Sequence, residues 1–116
     1  MFRNLPRQDY LGLMRMADVV VGNSSSGIME APSFGKPTVN IGRRQNGRPQ
    51  ACNVINTGYQ QQEIAEALRR ATTSEFVQIA RRAVNPYGDG HASENIVRIL
   101  KAVEISEALL HKEMAY

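Results

Sequence analysis

Two short apolar runs, Val19-Val20-Val21 and Thr38 to Ile41, each break abruptly into a loop that opens with glycine. Val19 to Val21, a continuous apolar β-branched run, suits a strand buried on both faces, as in a parallel sheet covered by helices, and Thr38 to Ile41 reads as a second strand. The segment between the runs, Ser25 to about Gly35, has the length of a short helix. Pro32 lies inside it and is expected to kink it or remove a hydrogen bond. Asn53 to Asn56 reads as a third, weaker strand. Strand, helix, strand, longer connection and strand make an α/β layout with a parallel sheet.

The flanks read as helices. Leu11 to Ala17 is the end of one, with Leu11, Met14 and Ala17 on one side. Ile64, Ala67, Leu68 and Ala71 follow the helical spacing, and Phe76, Ile79, Ala80 and Ala83 repeat it. Asn85-Pro86-Tyr87-Gly88-Asp89-Gly90 is a dense turn. A long helix over about 93–112 should follow it, with Ile96, Ile99, Leu100 and Val103 on one face and Leu110 farther along. In a doubly wound sheet of order 3-2-1-4-5-6, the three strands would be strands 4, 5 and 6. The Val19–Val21 strand would then be an open edge. The chain is therefore expected to be the C-terminal piece of something longer, or to pair with another chain.

Composition removes several function classes. The chain has 116 residues, enough for one domain or part of one. Its net charge of +3 permits an acidic ligand without calling for nucleic acid. It has no zinc-ligand spacing, no RNP-like aromatic cluster and no dense Lys/Arg tract, so neither a metal site nor a nucleic-acid partner is expected. No apolar stretch is long enough for a bilayer or a signal peptide. Cys52 is alone, so no intramolecular disulfide forms. A reducing, cytoplasmic setting is the expectation.

The carboxyl ends of parallel strands share one sheet edge, where ligands of open α/β sheets bind. The loop Gly22-Asn23-Ser24-Ser25-Ser26-Gly27 and the loop Gly42-Arg43-Arg44-Gln45-Asn46-Gly47-Arg48 should converge there. The first leads into a helix, whose opening turn offers unpaired N–H groups. Ser24 and Ser25 add hydroxyls, and Gly27 would let an anion approach the backbone. This is phosphate-binding chemistry without a Walker sequence. A plain N-cap by Asn23 or Ser24 accounts for the same residues. Glu30, about 9 Å farther along a helix, would reach ribose hydroxyls, or is a solvated helix glutamate. Arg43, Arg44 and Arg48 suit a bidentate grip on phosphate, or form a solvated basic loop. In the NPYGDG turn, Asp89 or Ser93 is placed to cap the final helix. His91 reads as a structural or exposed histidine. No Ser-His-Asp constellation or clear acid–base pair accompanies the loops.

GNSSSGIMEAPSFGKPTVNIGRRQNGR, together with NPYGDGHASENIVRIL, closely resembles the UDP-N-acetylglucosamine 2-epimerase family. Asn40 to Arg48, and the NSSSG turn where non-hydrolysing members tend to carry a D-S-G-G type turn, resemble the hydrolysing, N-acetylmannosamine-forming branch. The resemblance runs over nearly the whole chain. It implies a GT-B-type protein of two Rossmann-like halves, with this chain as the second half of the C-terminal one. It also implies that the final helix packs toward an N-terminal domain. By resemblance, UDP is bound through Asn23, Ser24, Ser25 and Gly27 at the diphosphate, Glu30 at the ribose and Arg44 near the phosphates. No cofactor or metal is implied. The partners implied are a UDP-sugar and the N-terminal domain, with a homo-oligomer compatible. The family abstracts the C2 proton, expels UDP by anti elimination and adds water to the glycal. Its catalytic carboxylates and their companion histidine lie upstream of this region, so no catalytic residue is expected in this chain. The C-terminal half of a GT-B glycosyltransferase and a non-catalytic nucleotide-binding fragment are the competing readings. The Asn40–Arg48 string argues against the glycosyltransferase.

Overall fold

A computed structural model describes residues 4–111. In chain order the elements are α1 (Arg7–Met16), β1 (Val20–Gly22), α2 (Ser26–Met29), a 3-10 turn (Ala31–Phe34), β2 (Thr38–Ile41), β3 (Val54–Thr57), α3 (Gln61–Ala71), α4 (Ser74–Arg81), α5 (Ala92–Ala102) and α6 (Glu107–Leu110). The strands form one parallel sheet in the order β1-β2-β3, with Val21 beside Val39 and Val39 beside Ile55. This is the order expected for the second half of a doubly wound sheet.

Strand alternation divides the core. Val39 and Ile55 point to one face and pack with Ala67 and Ala71 of α3 and Phe76 of α4. Thr38 points to the other face, which α2 covers. Two features steady α3 and α4 at their amino ends. The Gln60 and Glu63 side chains form a capping box, and Thr73 Oγ1 accepts the Phe76 N–H at 3.2 Å.

Three expectations need correction. The first strand was expected to be buried on both faces, yet Val21 is 48% exposed. It lies beside Val39 on the edge strand β1, and α3 packs on β2 and β3 rather than on β1. The third strand is Val54–Thr57, one residue later than Asn53–Asn56; Asn53 precedes it fully buried, its carbonyl accepting the Thr38 N–H at 2.8 Å and its Nδ2 donating to the Lys36 carbonyl at 2.9 Å. The helix expected from Ser25 to Gly35 is two short pieces. Pro32 has no N–H to donate to the preceding turn, so the chain tightens into the 3-10 turn. It ends on Gly35 at φ 59°, with the Lys36 N–H on the Ala31 carbonyl at 3.1 Å.

The expected 93–112 helix is also interrupted. α5 ends at Ala102, Val103 is extended, and Ser106 caps a new helix by accepting the Leu109 N–H at 3.3 Å. Leu110 therefore belongs to α6, and residue 112 lies outside the described residues. No residue of α5 is buried, and Ile96 and Leu100 are 56% and 66% exposed. The radius of gyration is 18.2 Å, whereas a compact chain of this length has about 13 Å. Among the described residues, no helix is long and apolar enough to cross a membrane.

Candidate functional site

The loops leaving β1 and β2 meet at the carboxyl edge of the sheet. Gln45 is 2% exposed, and its Nε2 donates to the Asn23 carbonyl at 2.7 Å. This is the direct hydrogen bond between the serine loop and the arginine loop. The arginine loop is folded by two successive turns, with the Asn46 N–H on the Arg43 carbonyl at 3.1 Å and the Arg48 N–H on the Gln45 carbonyl at 3.3 Å. Gln45 points inward from these turns, while Arg43, Arg44 and Arg48 are exposed. None of the three arginines has a carboxylate partner among the described residues. Tyr59 lies against Gly42, and its hydroxyl accepts the Arg43 N–H at 3.3 Å. Gly42 has φ 76°, a conformation that strains any other residue, and an added Cβ would collide with the Tyr59 ring.

The serine loop differs in detail from the expected helix terminus. Ser25, not Asn23 or Ser24, holds the N-cap position, and its side chain makes no cap hydrogen bond. Ser24 Oγ instead accepts the Ser26 N–H at 3.3 Å. The backbone N–H groups of Ser24 and Ser25 meet no acceptor among the described residues. α2 has only four residues, so anion affinity here would rest on these N–H groups, the hydroxyls and the arginines rather than on a long helix dipole. Gly27 was expected to admit an anion. It is buried against β2, and a Cβ there would stand 2.6 Å from Thr38 Cγ2. Thr38 Oγ1 donates to the Gly27 carbonyl at 3.0 Å. Gly27 therefore sets the close approach of α2 to the sheet, as the last glycine of a dinucleotide fingerprint does.

Glu30 ends the same turn, with its N–H on the Ser26 carbonyl at 3.0 Å. Its Oε2 is buried and has no hydrogen-bond donor among the described residues. Leaving a buried acceptor unpaired costs about 1–3 kcal/mol, and more when it is charged.

The NPYGDG turn bonds to the segments that follow the two loops. Asn85 Nδ2 donates to the Met29 carbonyl at 2.8 Å and lies 2.7 Å from Ser33 Oγ, and the Tyr87 hydroxyl donates to the Pro49 carbonyl at 3.1 Å. Neither Asp89 nor Ser93 caps α5, whose N-cap is His91. Asp89 Oδ1 accepts the His91 N–H at 3.1 Å and lies 3.2 Å from His91 Nδ1. The backbone hydrogen bond first, then the side-chain contact and the charge of His91, hold the Asp89 carboxyl below its ordinary value. Among the described residues, no group of His, Cys, Asp and Glu is placed to hold a metal ion. Sequence reasoning missed Gln45, Asn85 and Tyr87. Their only signal was their place inside the loop and turn motifs.

Serine loop, arginine loop and NPYGDG turn thus form one connected edge. A sequence model of the family described as UDP-N-acetylglucosamine 2-epimerase matches residues 1–101. The chain belongs to the UDP-N-acetylglucosamine 2-epimerase family. It is 37% identical over 114 residues to a Legionella pneumophila UDP-N,N'-diacetylbacillosamine 2-epimerase (hydrolyzing), covering 98% of this chain and 29% of that protein. It is 39% identical over 113 residues to a Campylobacter jejuni GDP/UDP-N,N'-diacetylbacillosamine 2-epimerase (hydrolyzing), covering 97% and 29%. It is 35% identical over 94 residues to the Escherichia coli polysialic acid biosynthesis protein P7, covering 81% and 24%. The chain therefore spans less than a third of the length of these relatives. The family is GT-B-like, and the three-stranded sheet with its helices is the corresponding Rossmann-like α/β piece.

Proposed function

We propose that the chain is the UDP-binding C-terminal part of a hydrolysing UDP-N-acetylglucosamine 2-epimerase. The reaction converts UDP-N-acetylglucosamine and water to N-acetylmannosamine and UDP, for biosynthesis of sialic acid-type sugars in the cytoplasm. A diacetylated UDP-sugar is the alternative substrate, and the names of two relatives carry one. Ser24 and Ser25, with the backbone that Asn23 and Gly27 position, receive the diphosphate. Arg44 neutralises the charge that grows on UDP as it leaves. Glu30 receives the ribose hydroxyls. The acid and base for proton transfer at C2 are assigned to sequence upstream, and the exposed apolar face of α5 is assigned to contact with the N-terminal domain.

The observation that carries this reading is the meeting of the serine and arginine loops at the Gln45–Asn23 bond of 2.7 Å, with the Ser24 and Ser25 N–H groups and the three arginines without acceptors or carboxylates among the described residues. Donors and cations gathered at a strand edge have the chemistry of a diphosphate site. The test is a UDP titration of the chain followed by backbone amide NMR. Shifts should concentrate at Asn23–Gly27 and Gly42–Arg48, and Ser24→Ala and Arg44→Ala should weaken them. A folded chain whose loop amides ignore millimolar UDP would refute the assignment.

A further inference from the structure

We propose that Gln45 is a positioning residue that ties the arginine loop to the serine loop and thereby aims Arg44 at the anion held by Ser24 and Ser25; the role rests on the nucleotide-site reading above. Three features of the structure lead to it. Gln45 is the buried side chain in a run whose neighbours Arg43, Arg44 and Asn46 are all exposed. Its Nε2 donates to the Asn23 carbonyl at 2.7 Å, and that carbonyl has no backbone donor among the described residues. Its Oε1 is buried with no donor among the described residues. An amide kept inside at that cost serves geometry rather than folding stability. The bond joins residues 22 positions apart, directly before Ser24 on one side and directly after Arg44 on the other. Without it, no hydrogen bond among the described residues joins the two loops: the arginine loop keeps its turns and the Arg43 N–H on Tyr59, and the serine loop keeps the Thr38 hydroxyl on the Gly27 carbonyl.

Gln45→Met fills the same space while removing both the bond and the unpaired acceptor, so the fold should survive it. In the unliganded variant, amide shifts should change at Asn23–Ser25 and Gly42–Arg48 while those of the core stay in place. UDP affinity should fall on the order of tenfold, the loss expected when one charge-assisted hydrogen bond is misdirected. If Gln45 acts through Arg44, the Gln45→Met loss should nearly vanish in an Arg44→Ala background. Full additivity with Arg44→Ala, or wild-type affinity in Gln45→Met, overturns the proposal. If the wild-type chain ignores UDP, the nucleotide reading fails with it, while the tie between the loops is judged on the unliganded spectra. Unchanged Asn23–Ser25 amides in Gln45→Met overturn the tie. Should that variant not fold, the wild type decides. Slow solvent exchange of the Gln45 side-chain amide protons supports the bond, and exchange as fast as in a solvated glutamine overturns it.

Discussion

Gly27→Ala is the sharpest single test of how the serine loop is seated. The new methyl would stand 2.6 Å from Thr38 Cγ2, with Thr38 Oγ1 next at 3.7 Å and Thr38 Cβ at 3.8 Å. Carbon atoms pack best at about 3.5–4.0 Å, so the clash amounts to roughly 1 Å and comes from one methyl group. Thr38 is 2% exposed and cannot swing away cheaply, because its hydroxyl bonds the Gly27 carbonyl. Overpacking of this kind costs about 1–3 kcal/mol. Alanine recovers about 1 kcal/mol of helix propensity over glycine. The net loss should be about 0–2 kcal/mol, accompanied by displacement of Ser24 to Ser26. Thr38→Ser removes the clashing methyl and keeps the hydroxyl. Alone it should cost about 1 kcal/mol for the lost buried group. Combined with Gly27→Ala it leaves 3.7 Å as the nearest contact, so the pair should be more stable than the sum of the single losses. Urea unfolding of the wild type and the three variants measures the coupling, which should reach about 1 kcal/mol or more. Additive losses would refute the close-packing role of Gly27.

The remaining predictions concern the site, the turn and the core. Glu30→Gln should leave unliganded stability unchanged or raise it by up to about 1 kcal/mol, since it removes charge from a buried unpaired oxygen. It should weaken UDP binding on the order of tenfold. A large fall in the urea midpoint would show that Glu30 serves the fold instead. Asp89 has its carboxyl lowered from 3.8 in the folded chain, so the stabilisation is present above 3.8 and disappears as pH falls through the lowered value. The His91 amide shift should accordingly titrate with a midpoint below 3.8, and Asp89→Asn should abolish that step. A midpoint at or above 3.8 would contradict the contact. Phe76→Ala should cost about 3–5 kcal/mol, because Phe76 is 5% exposed and packs on Val39, Ile55, Ala67 and Ala71. A urea midpoint close to wild type would remove it from the core.

The sheet was legible because its signals are local. Val39 and Ile41 alternate with Thr38 and Asn40 inside a short run closed by Gly42, and Pro32 announces the break in the segment between the strands. The helical spacing of Ala67, Ala71, Phe76 and Ala80 likewise marks the side chains that become buried. Less was legible where burial depends on neighbours. Val21 has the composition of a buried strand residue and lies exposed, because its position in the sheet determines what covers it. The final helix carried a continuous apolar pattern, yet Ser106 caps a new start within it. The pattern of Ile96, Ile99 and Leu100 identifies an apolar face without showing what meets it.

The sequence by itself determined the parallel α/β layout, the two anion-suited loops and the motifs that place the chain in its family. Those features are written in spacing and residue type, which act over a few residues. The tertiary structure decided that Gly27 packs against Thr38 of the sheet, that Glu30 keeps a buried oxygen without a donor among the described residues, and that Gln45 joins the loops. It also decided that Asn85 reaches Met29 across 56 positions and that Tyr87 reaches Pro49 across 38. Contacts so distant in the chain leave no periodic trace in it. They exist only once burial in the sheet has brought the strand ends to a common edge.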